Sequence, residues 1–336
     1  MPAPKPTPAA SRTAIGHVLI LVLILAAPSA LAEDTWLYKA ETGPHAVAVA
    51  DDLGLADAAR NKTIPYRVTY PSDAEGTLAV ILFSHGAYGS KSNYVPLAGH
   101  WASHGYVVIQ PTHEDSVSLG NRLGDPSVFT AEISQSRPRD ISALIDALGD
   151  IGVPGLEGRL DPDRIGMSGH SYGAGTTMMI AGMTLYSADG TERLNLGDPR
   201  VKAAAVLSGQ GLGEGRTKIS WQSVTMPQLV LTGTRDHSGR TGAPFTWRTE
   251  PFFYGPDERN YLFIVEGADH GFGGIASASE SLEGRRPPNP EHVRYVESVT
   301  TAFFDAWLNG SQDAWAFFDE ARVNGGSEGA VTLDVR

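Results

Sequence analysis

The chain has 336 residues, of which 41% are hydrophobic and 19% charged, enough for one large globular domain with a full core. A formal charge of −12 at pH 7, with no cluster of Lys and Arg, argues against nucleic acid as a partner. The chain contains no Cys, which excludes disulfides, a thiol nucleophile and thiolate metal sites.

Residues 1–32 have the three-part pattern of a secretory signal peptide. A stretch containing Lys5 and Arg12 precedes an apolar run at 18–25, and Ala-Leu-Ala follows at 30–32. The run is shorter than the roughly 20 residues of a membrane-spanning helix, and there is no Cys for a lipid anchor. We expect cleavage after Ala32, no stable membrane anchor and a periplasmic or secreted protein. Loss of both cations would leave a charge of −14.

Short apolar runs bounded by turn residues indicate buried strands, and apolar residues at i, i+3 and i+4 indicate helices. Strands are predicted at 66–70, 78–83, 106–110, 164–167, 201–207, 228–232 and 261–265. Helices are predicted at 94–104, from about Arg139 to Leu148, from Tyr172 to about Met183, and at 291–308. The alternation predicts an α/β fold, with a mostly parallel central sheet and helices on both faces.

Two segments carry no predicted element. Residues 33–65 are interpreted as a polar lead-in. The segment 112–138 is polar and aperiodic and contains Gly120, Gly124 and Pro126, which predicts a long surface loop near the strand ends. Such loops often line active sites.

Residues 169–173, Gly-His-Ser-Tyr-Gly, form a G-x-S-x-G sequence between a predicted strand and a predicted helix. In a nucleophile elbow, the two glycines let strand and helix approach closely while a strained turn exposes the serine. The pentapeptide alone is weak evidence in a chain with 38 Gly. Its flanks favour Ser171 as a nucleophile over a serine in a flexible turn.

A serine hydroxyl needs a base within hydrogen-bonding distance. His270 follows the strand predicted as the last of the sheet and lies between Gly267 and Gly271, as suits an exposed base. A structural role is the better interpretation for the other histidines considered: His45, His100, His104, His113 and His292.

The supporting acid should lie between the serine and the histidine in the chain, at the end of a strand. Asp236 has that position. Its rivals are Asp257, in a loop, and Asp269, adjacent to the histidine. The structural alternative for Asp236 is a turn or cap paired with Arg235 or Arg240.

A tetrahedral intermediate needs two N–H donors for its oxyanion, one after the nucleophile and one in the loop after an early strand. The backbone amides of Tyr172 and Ala87 occupy those positions. Gly86 allows the loop to approach the substrate. We expect His85 to hold this loop through hydrogen bonds rather than to act as a second base.

Several segments together resemble the α/β-hydrolases related to platelet-activating-factor acetylhydrolase and the dienelactone-hydrolase-like esterases of bacteria. The resemblance extends from about Arg60 to Phe318. It rests on FSHGAYGSKSNY (83–94), ASHGYV (102–107), RPRDISALIDAL (137–148), RIGMSGHSYG (164–173), LTGTRD (231–236) and ADHG (268–271). The elbow departs from the family where Ala174 replaces a second glycine, a change small enough to preserve packing.

From length and the expected cleavage site we predict one α/β-hydrolase domain over 33–336. The resemblance implies that it hydrolyses small-molecule or lipid-like esters through an acyl-enzyme, with no metal or organic cofactor. Its motif positions match Ser171, Asp236, His270, Ala87 and Tyr172. Dienelactone hydrolases themselves use a Cys nucleophile, which this chain lacks.

Three alternatives stay open: an amidase or peptidase with the same triad, a cutinase-like polyester hydrolase, and a silent binding protein on the same scaffold. Four aromatic residues near the motifs are candidates for the pocket and equally for the core: Tyr88, Trp221, Trp247 and Phe272.

Overall fold

The structure is a computed structural model that describes residues 1–2, 36–276 and 287–336. Apart from its first two residues, the predicted signal peptide 1–32 lies outside the described residues. The strands are β1 (Val47–Asp57), β2 (Lys62–Pro71), β3 (Leu78–Ser84), β4 (Val107–Pro111), β5 (Leu160–His170), β6 (Thr184–Tyr186), β7 (Arg193–Asn195), β8 (Val201–Leu207), β9 (Gln228–Gly233), β10 (Asn260–Val265) and β11 (Val331–Val335).

The α-helices are α1 (Val95–Ser103), α2 (Ala131–Asp146), α3 (Tyr172–Ile180), α4 (Glu250–Phe253), α5 (Pro290–Asn309), α6 (Gln312–Phe317) and α7 (Glu320–Gly326). No helix among the described residues is long and apolar enough to cross a membrane.

Within the described residues, the main sheet has nine strands in the order β1-β2-β4-β3-β5-β8-β9-β10-β11. Six neighbouring strands pair in parallel: β4, β3, β5, β8, β9 and β10. The strands β1 and β2 at one edge and β11 at the other pair antiparallel with their neighbours. β5 is the central strand. The predicted mostly parallel sheet is confirmed, and it is that of the α/β-hydrolase fold.

Helices cover both faces of the sheet, because the strands are buried on both sides and alternate residues need apolar partners on each. On one face, Ile81 and Phe83 of β3 pack in a core with α1 and α5. On the other face, Val80 and Leu82 pack with Ile141 and other residues of α2. The catalytic candidates all lie at the carboxyl ends of the strands between these layers.

The predicted start of α2 near Arg139 is wrong, since the helix begins eight residues earlier. The Thr130 side chain accepts a hydrogen bond from the Ile133 amide at 3.2 Å and caps the helix, and Pro138 lies inside it. The buried face of the early turns is polar, with Arg137 and Asp140 fully buried. Apolar periodicity therefore could not reveal this part of the helix.

The sequence analysis also missed both edges of the sheet. β1 lies within the segment interpreted as a polar lead-in, and its pairing with β2 shifts register between Ala50 and Leu53, around two aspartates. β10 is not the last strand of the sheet, because β11 pairs antiparallel with it. α3 ends at Ile180, three residues before the predicted end.

Backbone contact between α3 and β3 is close enough to require glycine at position 173. A Cβ atom there would lie 1.9 Å from the carbonyl oxygen of Ser84, and one at Gly169 would lie 2.4 Å from the carbonyl oxygen of Gly173. By contrast, a Cβ at Gly99 in α1 would meet nothing within 4 Å.

We expect Gly173→Ala to lower the free energy of unfolding by about 3 kcal/mol or more, because the backbone of α3 must move away from β3. The control Gly99→Ala should raise it by up to about 1 kcal/mol, since alanine has the better helix propensity. Urea denaturation measures both. Wild-type stability in Gly173→Ala would contradict this packing.

Candidate active site

Ser171 occupies a strained turn between β5 and α3. Its φ of 57° and ψ of −117° lie outside the regions that L-residues favour. The backbone is fixed by a hydrogen bond of 3.0 Å from the Ser171 amide to the carbonyl oxygen of Leu207 in β8. The side chain of Gln210 also donates to the Ser171 carbonyl oxygen at 2.6 Å. The turn therefore has the geometry of a nucleophile elbow.

The three residues predicted as a triad lie in one hydrogen-bonded row. The Oγ of Ser171 lies 2.9 Å from Nε2 of His270, and Nδ1 of His270 lies 2.7 Å from Oδ1 of Asp236. Because a carboxylate only accepts hydrogen bonds, Nδ1 carries the proton. Nε2 is then free to accept the proton of Ser171, as a general base must.

Asp236 and His270 meet because their loops are joined by backbone hydrogen bonds. The Arg235 amide donates to the Ala268 carbonyl, and the Thr234 amide donates to the Val265 carbonyl, each at 3.0 Å. Neither rival acid takes this place: the Asp257 side chain is 95% exposed beside Arg336, and no hydrogen bond joins Asp269 to the His270 ring in the described part of the chain.

Asp236 is fully buried and keeps its charge through several partners. Ser208 and Thr232 donate their hydroxyl protons to Oδ2, the latter at 3.0 Å, and Nε of Arg248 lies 2.7 Å from Oδ1. Burial alone raises the pKa of Asp236, but His270, Arg248 and Ser208 together lower it to about 2. The carboxylate therefore stays ionised and holds the proton on Nδ1 of His270.

The loop after β3 is held by buried polar groups, as expected for His85. Nδ1 of His85 donates to the Gly86 carbonyl at 2.7 Å, and Nε2 accepts from the His113 amide at 3.0 Å. Burial and the charge of Arg137 lower the pKa of His85 to about 4. Arg137 also donates to the His85 carbonyl. A neutral His85 fixes the loop that carries Ala87.

The two predicted oxyanion donors, the amides of Ala87 and Tyr172, border the same cavity as Ser171. Within the described residues, neither amide has a hydrogen-bond acceptor in the protein. Unpaired N–H groups next to a nucleophile are what an oxyanion hole requires.

A second hydrogen-bonded row connects the loop after β3, which carries Ala87, with the loop after β10, which carries His270. The Gly86 amide donates to the Tyr94 hydroxyl at 3.1 Å, and this hydroxyl lies 2.9 Å from Nδ1 of His170. Nε2 of His170 donates to the His270 carbonyl at 2.7 Å. Since that carbonyl can only accept, Nδ1 of His170 is the acceptor for Tyr94. Burial and the charge of His270 lower the pKa of His170 to about 3, so this neutral form persists near pH 7.

The cavity above Ser171 has a volume of about 510 Å³. Of the four aromatic candidates, Tyr88 and Trp247 line it, whereas Trp221 and Phe272 are fully buried in the core. Phe129 and Tyr172 form an aromatic wall, with ring centres 5.3 Å apart. The cavity thus combines an aromatic wall with polar and charged side chains.

Sequence reasoning missed Arg248, Ser208, Tyr94 and the role of His170. His170 stands at a variable position of the elbow sequence. The predicted helix includes Tyr94, but in the structure Tyr94 precedes α1 with a φ of 62°. These residues are distant in sequence from their partners, and no local pattern reveals such contacts. No group of three or more His, Cys, Asp or Glu side chains suited to a metal occurs among the described residues.

The fold, elbow and Ser-His-Asp row define the site of an α/β-hydrolase. A sequence model of the family described as Chlorophyllase matches residues 40–191, which is less than half of the chain. The chain is 28% identical to "Cutinase est1" of Thermobifida alba over 219 residues, which cover 65% of this chain and 60% of that protein. It is 28% identical to "Bis(hydroxyethyl) terephthalate hydrolase" of Streptomyces coelicolor over 227 residues, which cover 67% and 60%.

A third relative, "Cutinase 2" of Thermobifida cellulosilytica, is 27% identical over 238 residues, which cover 70% of this chain and 74% of that protein. The chain spans 60% and 56% of the length of "Cutinase est1" and "Cutinase est2" of Thermobifida alba. These similarities agree with the α/β-hydrolase fold. They do not confirm the finer resemblance to platelet-activating-factor acetylhydrolase and dienelactone-hydrolase-like esterases.

We expect Tyr94→Phe to slow the reaction of Ser171 with a fluorophosphonate about tenfold, because Gly86 and His170 each lose a hydrogen-bond partner. The same loss should lower the free energy of unfolding by about 1–2 kcal/mol. Active-site labelling and urea denaturation measure the two effects.

Two variants of His170 separate the two ends of this row. His170→Gln keeps a donor for the His270 carbonyl, and His170→Asn keeps an acceptor for Tyr94. If the row positions both loops, each variant should retain part of the labelling rate that His170→Ala loses. Labelling at the wild-type rate in all three variants would show that the row contributes only to stability.

Proposed function

We propose that this protein is an exported serine hydrolase that cleaves carboxylic esters through an acyl-enzyme. The supporting observation is the row from Ser171 through His270 to Asp236, at 2.9 Å and 2.7 Å, beside the unpaired amides of Ala87 and Tyr172. Its nucleophile, base and oxyanion donors border one cavity.

In the proposed first step, His270 takes the proton of Ser171 while Oγ attacks the ester carbonyl carbon. The amides of Ala87 and Tyr172 stabilise the oxyanion as it forms. Asp236 stabilises the protonated imidazole, and its low pKa of about 2 keeps it ionised during this step. Collapse of the intermediate expels the alcohol, which takes its proton from His270.

Water then releases the acyl group. His270 accepts a proton from water as the water attacks the acyl-enzyme, and returns a proton to Ser171 when the second tetrahedral intermediate collapses. The products are the carboxylic acid and free enzyme.

A cutinase-like action on polyesters is the second candidate function. Relatives named as cutinases and as a bis(hydroxyethyl) terephthalate hydrolase favour it, as does the aromatic wall of Phe129 and Tyr172. Turnover of a polyester film alongside small esters would support it. The motif resemblance to acetylhydrolases favours short acyl groups instead. The amidase alternative would be supported by release of an amine from an anilide.

We expect the purified protein to hydrolyse p-nitrophenyl esters in a series from acetate to palmitate, and Ser171→Ala to abolish this turnover. Asp236→Asn should lower kcat about 10⁴-fold, because an amide can present its N–H to His270 and disturb the tautomer. Release of p-nitrophenol measures both, and the chain-length optimum indicates the size of the acyl pocket.

The matched control is Asp269→Asn, next to the same histidine, which should retain most of the activity. A larger loss in Asp269→Asn than in Asp236→Asn would assign the acid to Asp269. If folded wild-type protein hydrolyses no ester but cleaves the matching anilides, the amidase is the correct function.

Export rests on the signal-peptide pattern of residues 1–32, and we expect the exported protein to begin at Glu33. Sequencing of the N-terminus after expression in a bacterium with a periplasm measures this. A protein that keeps residues 1–32 and remains in the cytoplasm would contradict export.

A further inference from the structure

The cavity wall contains a charged group that the proposed reaction does not use. It consists of Arg216, Glu214 and Arg240, which we call the arginine cluster. The cavity's other arginine, Arg248, is paired with the buried Asp236. Glu214 is the only acidic residue that borders the cavity in the described part of the chain. Two guanidinium groups therefore share one carboxylate.

The arginine cluster is built on a rigid turn. Gly213 and Arg216 exchange two backbone hydrogen bonds of 3.0 Å, and the residues between them, Glu214 and Gly215, have φ values of 52° and 82°. Positive φ at both central positions is the mark of a tight type I′ turn. A Cβ at Gly215 would lie 2.9 Å from the Tyr186 carbonyl oxygen. The side chains of Glu214 and Arg216 thus start from fixed positions.

Arg216 has an unused donor group. Its side chain is only 10% exposed. Nε donates to the Gly211 carbonyl at 2.7 Å and Nη2 to Oε2 of Glu214 at 3.0 Å, but Nη1 has no hydrogen-bond partner among the described residues. Arg240 donates to the other oxygen of Glu214. Nη1 of Arg216 is not among the fully buried atoms that lack a partner, so this donor is open to an acceptor in the cavity.

An apolar path separates this charge from the nucleophile. The Arg240 guanidinium lies 5.2 Å from the centre of the Phe129 ring, and this ring packs against Tyr172, the neighbour of Ser171. In the proposed reaction the alcohol leaves beside His270, which protonates it, and we assign the acyl group to the wall of Phe129 and Tyr172. The arrangement suits an acyl group with an apolar middle and an anionic end.

We propose that the arginine cluster binds a free carboxylate at the far end of the acyl group, so that the preferred substrates are half-esters of dicarboxylic acids. The protein as a whole carries a formal charge of −12. The arginine cluster, with two arginines and one glutamate, has a positive formal charge. The inference rests on the proposed ester hydrolysis. The distal carboxylate is unchanged by the reaction, which releases an alcohol and the dicarboxylic acid.

The test compares each half-ester with its neutral counterpart of equal acyl length: monomethyl adipate with methyl hexanoate, suberate with octanoate, and sebacate with decanoate. The measured quantity is the ratio of kcat/KM for the half-ester to that for the neutral ester, from methanol release. Comparison with variants cancels the intrinsic reactivity of each ester. The length with the highest ratio reports the distance from Ser171 to the cluster.

Two variants should change this ratio in opposite directions. Arg240→Gln removes one guanidinium and should lower the ratio about three- to tenfold. Glu214→Gln removes the competing carboxylate and should raise it by a similar factor. The matched control Arg193→Gln removes an exposed cation outside the cavity and should leave the ratio unchanged. Added salt should also lower the wild-type ratio.

Two outcomes would overturn the proposal and leave the esterase function intact, provided that neutral esters are hydrolysed. The ratio stays at the wild-type value in both cavity variants, or it moves in the same direction in both. Calorimetric titration with suberate gives a reading independent of turnover. If no ester is hydrolysed but suberate binds, and binds more weakly to Arg240→Gln, the esterase function fails and the anion site stands. Absence of both would overturn both.

Discussion

The close approach of α3 to the end of β3 is the constraint on which the site depends. Only glycine at positions 169 and 173 lets the helix pass over the backbone there, and the resulting turn forces Ser171 into its positive φ. Because β5 is central in the sheet, neighbouring strands end around this serine. β3 leads to Ala87 on one side, while β8, β9 and β10 lead to Ser208, Asp236 and His270 on the other.

Buried polar contacts fix these loops in place of apolar ones. Asp236 is held by four hydrogen-bonding or charged partners. The loop after β3 is held by His85 and Arg137. The low pKa values of His85 and His170 make both rings neutral near pH 7, so each presents a fixed donor and a fixed acceptor. A network with defined donors positions loops more uniquely than apolar packing does.

The cavity also contains groups that the proposed reaction does not use. Ser171, His270 and the residues of the two amides line the cavity next to the strand ends. The wall of Phe129 and Tyr172 extends from there to the cluster of Arg216, Glu214 and Arg240. In the proposed function, the chemistry uses groups at the strand ends, whereas the arginine cluster lies farther along the loops after β8 and β9. The same loops also carry Ser208 and Asp236, so selectivity and reactivity share their supports.

The sequence by itself determined the parallel sheet, the elbow at Ser171 and the order of Ser171, Asp236 and His270, because each follows from local periodicity or from a strand followed by a turn. It did not determine the edge strand β1, whose pattern is interrupted by a register shift, nor the early turns of α2, whose buried face is polar. Only the tertiary structure decided the partners of Asp236, the row from Gly86 to His270 and the sharing of Glu214 by two arginines. These contacts join residues far apart in sequence, and their energies depend on burial and distance, which no local sequence pattern records.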